Sequence, residues 1–253
     1  MAHPITSPAR LPVIAPSILS ADFARMAEEC RTVLGSAAGG DAGPDGGEWL
    51  HLDVMDGHFV PNLTMGPDLC RALRRAFPDA VLDVHLMITD PQDYVQAFAD
   101  AGADVYTFHV EPSVGIYRSK GPVEGPPRFD ARRLAESVRA AGMQPGLAIN
   151  PPTDDDAALS IASDFDMVLV MSINPGFSGQ SFMPETLDTT RAVRAALRDD
   201  QRLQMDGGIT PDNAGAVRDA GCDVLVAASA IFGRPPAERL GVIRGLRGPD
   251  HQS

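Results

Sequence analysis

Short apolar runs alternate with segments of helical period along almost the whole chain, and this alternation restricts the fold more than any other feature. Residues 13–19, 49–55, 81–87, 105–110, 145–149, 167–173, 202–205 and 224–228 have strand length and a high content of Val, Ile, Leu and Met. Helix-period stretches fall between them, for example residues 21–34, 67–77, 91–101 and 184–198. In 21–34, Phe23, Met26, Ala27, Cys30 and Leu34 recur at helical spacing. Pro67, Pro91, Pro184 and Pro211 stand at or near helix starts, where a missing N–H costs little, and Gly102, Gly142 and Gly221 follow apolar helical segments as C′ residues. Strands thus recur at roughly 30-residue intervals, the length of a βα unit. About eight such units in one chain of this length predict an α/β fold, a closed (β/α)8 TIM barrel forming a single domain over residues 1–253. The competing architecture is an open flavodoxin-like or Rossmann-like sheet, but no glycine-rich dinucleotide fingerprint follows the first strand.

Two stretches break the regular spacing. Residues 35–47, rich in Gly, Ala and Asp, are read as a loop insertion between a helix and a strand, on the stability face of the barrel. Residues 113–127, rich in Gly and Pro, follow a strand and are read as an insertion on the catalytic face. The tail after residue 245 is expected to be frayed.

Composition narrows the partners. A formal net charge of −13 argues against nucleic acid or an anionic membrane surface, since both need a basic footprint, and leaves anionic metabolites possible only through local donors. Cys30, Cys70 and Cys222 are odd in number and lack metal-type spacing, so they are read as core or helix-face thiols in a reducing compartment. The N-terminus has no apolar signal core, and no stretch approaches the ~18 apolar residues of a membrane span, so a cytoplasmic protein is expected.

Strand-end polar residues then point to chemistry, because active sites of such barrels form at the C-terminal ends of the strands. His51 and Asp53 lie two apart on one strand and so share a face. His85 in Asp83-Val84-His85-Leu86-Met87 and Asp206 in Met205-Asp206-Gly207-Gly208 supply further imidazole and carboxylate at other strand ends. These four are the expected ligands of one divalent metal, with Zn²⁺ the first choice and Fe²⁺, Mn²⁺ or Co²⁺ as alternatives. A second cluster, Asn174-Pro175-Gly176-Phe177-Ser178-Gly179-Gln180, Gly207-Gly208 and Ala228-Ser229-Ala230-Ile231-Phe232-Gly233, follows the last three strands. Small residues there let backbone N–H groups approach an anion closely, and barrels of this kind commonly bind phosphate on their last two βα loops. Met55, Met87 and Met171 fall at or near the ends of the second, third and sixth strands, beside the expected metal. His58 and His109 have no partner motif and are read as structural.

These segments together resemble the ribulose-phosphate 3-epimerase family. The likeness rests on Ile14-Ala15-Pro16-Ser17-Ile18-Leu19-Ser20-Ala21-Asp22, on residues 51–62, 83–87 and 171–182, and on Asp206-Gly207-Gly208, in that order along residues 13–233. The resemblance implies a (β/α)8 barrel, one divalent metal, a homo-oligomer, and interconversion of D-ribulose 5-phosphate with D-xylulose 5-phosphate in pentose phosphate or Calvin-type metabolism. It implies His51, Asp53, His85 and Asp206 as metal ligands, and Asp53 and Asp206 as the catalytic acid/base pair. It further implies that Ser17 and His85 contact the substrate, and that Gly176, Phe177, Ser178, Gly179, Gly207, Gly208, Ala228 and Ser229 belong to the substrate- and phosphate-binding loops. Met55, Met87 and Met171 correspond to thioethers lining the reacting carbon. Two positions depart from the family pattern: Ser178 and Ala228 stand where glycine is usual, which puts phosphate affinity in question. Allulose 6-phosphate 3-epimerisation and a non-catalytic phosphate-binding barrel are the alternative functions. A decarboxylase or aldolase on this barrel is disfavoured, because the sole lysine, Lys120, lies in the second insertion.

Overall fold

The computed structural model describes residues 8, 10–119, 121, 123–151, 153 and 155–248. Eight parallel strands carry the fold: β1 (Val13–Pro16), β2 (Trp49–Met55), β3 (Val81–Met87), β4 (Val105–His109), β5 (Gln144–Ile149), β6 (Met167–Met171), β7 (Arg202–Asp206) and β8 (Val224–Ala227). Their order is β1-β8-β7-β6-β5-β4-β3-β2, so each strand lies beside its sequence neighbour and β1 returns to β8. A parallel bridge between Ser17 and His51 joins β1 to β2 and brings the sheet close to full closure. The eight-unit reading therefore holds, and the open doubly wound sheet does not.

Around the barrel run α1 (Met26–Arg31), α2 (Pro67–Ala76), α3 (Val95–Ala101), α4 (Ala131–Ala140), α5 (Asp155–Leu159), α6 (Thr186–Ala196), α7 (Ala214–Asp219), α8 (Ser229–Phe232) and α9 (Pro236–Arg247). The strands are buried on both faces, which is why they read as apolar runs rather than as strict alternation. Leu50, Leu52 and Val54 of β2 join the large core between sheet and helices. Their neighbours Trp49, His51 and Asp53 point into the barrel. There Trp49 packs with Val13, Ala15, Val81, Val105, Met167, Val224 and Val226 in a separate buried cluster at the N-terminal end of the strands. Each fully buried aliphatic side chain contributes on the order of 2 kcal/mol, so this apolar plug supports the polar layer above it.

The first helix departs from expectation. The expected strand 13–19 stops at Pro16 because Ser17 caps a 3₁₀ turn, its hydroxyl oxygen accepting the Leu19 N–H at 3.3 Å. Asp22 caps a second 3₁₀ turn by accepting the Ala24 N–H at 3.0 Å, so regular helix begins only at Met26. Gly102 terminates α3 with φ of 87°, as its position suggested.

Residues 35–47 contain two 3₁₀ turns, with the Gly35 N–H bonded to the Gly47 carbonyl at 2.8 Å, and they lead into the N-terminal end of β2. Residues 113–127 follow β4, form an antiparallel bridge between Ile116 and Glu124, and bond to the β2–α2 loop through Ser119 N–H and the Phe59 carbonyl at 3.0 Å. Lys120 and residue 122 of this insertion lie outside the described residues. Helix α9 extends to Arg247, and residues 249–253 of the expected frayed tail also lie outside the described residues. The three cysteines are free and buried, and burial pushes the Cys30 and Cys70 thiols up to about 12. Among the described residues, no helix is long and apolar enough to cross a membrane.

Candidate active site

The alternation of β2 sends His51 and Asp53 into the barrel, and register does the same for its neighbours. Pairing sets His51 beside Asp83 and Asp53 beside His85, while β7 brings Asp206 up from the other side. One donor atom from each of His51, Asp53, His85 and Asp206 lies within 4.8 Å of the others, the single such group among the described residues. His51 Nε2 stands 3.3 Å from Asp53 Oδ1 and 3.3 Å from His85 Nδ1, and His85 Nδ1 stands 3.2 Å from Asp53 Oδ1. Asp206 Oδ2 is slightly farther, 3.9 Å from His51 Nε2 and 3.7 Å from His85 Nδ1. Four donors each ~2.0–2.1 Å from a tetrahedral cation are about 3.3 Å apart, so the spacing fits a metal such as Zn²⁺. Lone-pair atoms converging this closely also require a cation or a proton between them, which the electrostatics below provide.

The two histidines are held from behind. His51 donates from Nδ1 to Asp83 Oδ2 at 2.7 Å, and the same oxygen accepts Gln204 Nε2 at 2.6 Å. That bond keeps the His51 proton on Nδ1 and turns Nε2 to the cluster, the usual carboxylate support of a metal-binding imidazole. Asp53 is oriented by Ser17, whose hydroxyl donates to Oδ2 at 2.6 Å, leaving Oδ1 for the histidines.

Burial and charge pull the two carboxylates apart. Burial alone would raise Asp53, but the charge and hydrogen bond of the neighbouring His51 outweigh it and hold its carboxyl far below the usual carboxylate range. Asp206 goes the other way, pushed up to about 7 by burial and by the neighbouring Asp53 charge. His51 is raised well above the usual imidazole range because the Asp83 and Asp53 carboxylates overcome its burial. Burial and the nearby His109 and His51 rings lower His85 to about 4, although Asp53 pulls the other way. An ionised Asp53 beside a proton-carrying Asp206 is the division of labour that paired acid/base chemistry needs.

Above the cluster, at the C-terminal ends of the strands, a cavity of about 290 Å³ opens. Ser17, Asp53 and Asp206 form its floor and Met55, Met87 and Met171 contribute to its walls. Gly176, Phe177, Ser178, Gly179, Gly207, Gly208, Ala228 and Ser229 also line it, so the structure gathers both clusters found in the sequence around one space. His51 and His85 are fully buried and do not line it. Gly207 and Gly208 have φ of 128° and 61°. A Cβ would come within 2.6 Å of the Ile173 side chain at Gly207 and within 2.6 Å of the Phe182 backbone nitrogen at Gly208. Only glycine lets these loops interlock. Asn62 donates to the Gly176 carbonyl at 3.0 Å, and Gln180 donates to the Asn174 and Phe177 carbonyls at 2.7 and 2.9 Å, bracing the 174–180 loop. Ala228 stands at the N-cap of α8 with φ of −106° and ψ of −90°, outside the regular helical and extended regions, and it lines the wall. Ser178 is exposed at the rim.

Sequence reasoning overlooked Asp83 and Gln204, although each lies two residues before a candidate ligand and so shares its face. It read His109 as structural, yet His109 Nε2 lies 2.9 Å from His85 Nε2. Neither a lone histidine nor Glu111 beyond its strand signals such a contact without the barrel register. His58 lies in the β2–α2 loop, its ring nitrogen Nδ1 2.9 Å from the Asp56 carbonyl oxygen, away from the metal cluster.

A parallel eight-stranded barrel with a His₂Asp₂ cluster beneath a glycine-walled, strand-end cavity defines the molecule as a barrel built to hold a cation next to a small ligand. The model of the ribulose-phosphate 3 epimerase family matches residues 13–232, and the chain belongs to that family. It is 40% identical over 244 residues to the ribulose-phosphate 3-epimerase of Synechocystis sp., covering 95% of this chain and 96% of that one. It is 41% identical over 231 residues to the enzyme of the same name from Escherichia coli strain K12, covering 90% and 92%. Among solved structures, 3-hexulose-6-phosphate synthase from Salmonella typhimurium superposes with a TM-score of 0.62 at 17% identity, over 93% of this chain and 96% of that one. Thiamine phosphate pyrophosphorylase from Pyrococcus furiosus gives 0.57 at 16%, over 94% of each chain. These two share the barrel.

Proposed function

We propose that this protein is a divalent-metal-dependent ribulose-phosphate 3-epimerase that interconverts D-ribulose 5-phosphate and D-xylulose 5-phosphate. The observation that carries the reading is the pair Asp53 and Asp206, two carboxylates on one cavity floor with opposite proton affinities. Membership of the family supports the choice of substrate.

Epimerising C3 of a 2-ketose phosphate requires taking its proton from one face and returning a proton to the other, with no net redox change. Asp53, ionised and steadied by the Ser17 hydroxyl, accepts the C3 proton in one direction. Asp206 holds the proton that is delivered to the opposite face, and the roles exchange in the reverse direction. His51, Asp53, His85 and Asp206 would hold a divalent ion, with Zn²⁺ the best match to the donor set, and that ion would supply Lewis-acid stabilisation of the developing negative charge. Met55, Met87 and Met171 line the cavity with weakly polar thioethers that give water little access to the enediolate. Backbone N–H groups of the 174–180, 207–208 and 228–229 segments hold the phosphate, so a chain of net charge −13 binds an anion without a basic patch.

The test is incubation of the Zn²⁺-loaded protein with D-ribulose 5-phosphate in D₂O. D-xylulose 5-phosphate carrying deuterium at C3 is the expected product, formed faster than epimerisation of a hexulose phosphate. A metal-loaded protein that yields neither epimer nor C3 deuterium from any ketose phosphate overturns the reading in favour of a non-catalytic barrel.

A further inference from the structure

A second line of buried hydrogen bonds leads away from the cluster through His85. His85 turns Nδ1 toward Asp53 and Asp206, and its Nε2 meets Nε2 of His109 at 2.9 Å. His109 in turn presents Nδ1 to Glu111 Oε2 at 3.0 Å. All three side chains are buried. The other Glu111 oxygen, Oε1, accepts the Asn150 backbone N–H at 2.7 Å and the Thr153 hydroxyl at 2.8 Å. Every atom at the far end of this line is therefore accounted for, and the carboxylate has no role at the cavity, which it does not line.

The proton positions along the line follow from donor and acceptor rules. Two imidazoles that meet nitrogen to nitrogen need one proton between them, and a neutral imidazole has a single N–H. An ionised carboxylate only accepts, so the His109 proton sits on Nδ1, facing Glu111. His109 Nε2 is then an acceptor, and His85 must donate to it from Nε2. That leaves His85 Nδ1 with a free lone pair aimed at Asp53, Asp206 and His51. His51 receives the same service directly from Asp83. For His85 the carboxylate stands one ring farther away, just beyond the end of β4 and at the start of the 3₁₀ turn Glu111–Val114.

We propose that Glu111, acting through His109, is a positioning residue that fixes the tautomer of His85 and thereby keeps Nδ1 available to a divalent cation. This rests on the reading of the His₂Asp₂ cluster as a metal site. Because Glu111 also anchors Asn150 and Thr153 of the β5–α5 loop and begins the segment that leads into the 113–127 insertion, the relay ties both loops to the cluster.

Glu111→Gln separates positioning from folding. Its Oε1 keeps the Asn150 and Thr153 bonds, while its amide N–H₂, now opposite His109 Nδ1, donates and reverses the line. His109 then points an N–H at His85, whose own proton is driven to Nδ1 and into the cluster. The expected result is Co²⁺ affinity reduced roughly 10–100-fold, read by competition with a chromophoric chelator. The metal-free variant should melt within a few degrees of the wild type. His109→Phe, which leaves His85 Nε2 without an acceptor, should show a loss of the same order. Wild-type Co²⁺ binding with undiminished affinity in Glu111→Gln overturns this inference alone, whereas a wild type that binds no Co²⁺ overturns the metal reading and this inference with it. A second measurement needs no variant. In ¹⁵N-histidine NMR of the Zn²⁺-loaded wild type, the proton of His85 should be on Nε2, and a proton on Nδ1 refutes the relay.

Discussion

Adding Zn²⁺ at pH 6 should release about one proton per protein, from His51, while Asp206 keeps the proton that acid/base catalysis needs. The count comes from the cluster. Asp83 and Asp53 raise His51 well above the usual imidazole range, so at pH 6 it is protonated and a cation arriving at Nε2 must displace one proton. Asp206, raised to about 7, is roughly nine-tenths protonated at pH 6 and can keep its proton on Oδ1 while Oδ2 faces the cluster. His85, lowered to about 4, is already neutral, and Asp53 is already ionised, so neither adds to the count. One proton released per ion makes the apparent affinity rise about tenfold, or ~1.4 kcal/mol, per pH unit around pH 6. The assay is isothermal titration calorimetry at pH 6 in buffers of different ionisation enthalpy, which reports released protons directly. No proton release would refute His51 as the proton-bearing ligand, and release of two would contradict a loaded site in which Asp206 keeps its proton.

Three substitutions probe other parts of the argument. Arg239→Met leaves Glu29 only the more distant Arg25 at 3.7 Å in place of Arg239, which meets it at 2.9 Å in a buried pair and also engages Thr32 at 2.7 Å, and should cost about 3 kcal/mol by denaturant unfolding. Gly207→Ala forces a methyl to within 2.6 Å of Ile173 at φ of 128°, a strain of about 1–3 kcal/mol. The Michaelis constant for the phosphorylated substrate should rise accordingly, by about tenfold or more. Ala228→Gly removes a methyl from the cavity wall at a position whose φ of −106° and ψ of −90° glycine accommodates, so the Michaelis constant should stay equal or fall.

Much of this was legible in the sequence because parallel barrel strands are buried on both faces and their helices are punctuated by proline and glycine. The bounds of β2 and β3 match residues 49–55 and 81–87 outright. The beginning of the chain was harder, since Ser17 caps a 3₁₀ turn within the apolar run 13–19 expected as strand, and Asp22 caps another where helical periodicity suggests continuous helix. The four cluster residues were visible because each is of ligand type on an apolar strand, although only Asp206 ends its strand and His51, expected at a strand end, lies in the first half of β2. Their supports were not, because a hydrogen bond between His109 and His85 depends on strand register and barrel closure, and Glu111 lies past the strand in an irregular turn. Ala228 shows the opposite limit: its departure from the family pattern is plain in the sequence, but only the structure shows that it caps α8 and lines the cavity wall.

The central claim is that Asp53 and Asp206 serve opposite faces of one carbon, and C3 hydrogen exchange in D₂O with Asp53→Asn and Asp206→Asn tests it most directly. Each metal-loaded variant should fail to interconvert the two pentulose phosphates, while any exchange that survives should be confined to one epimer, and to different epimers in the two variants. Interconversion at wild-type rates in either variant, or exchange of both epimers by both, would contradict the two-carboxylate account.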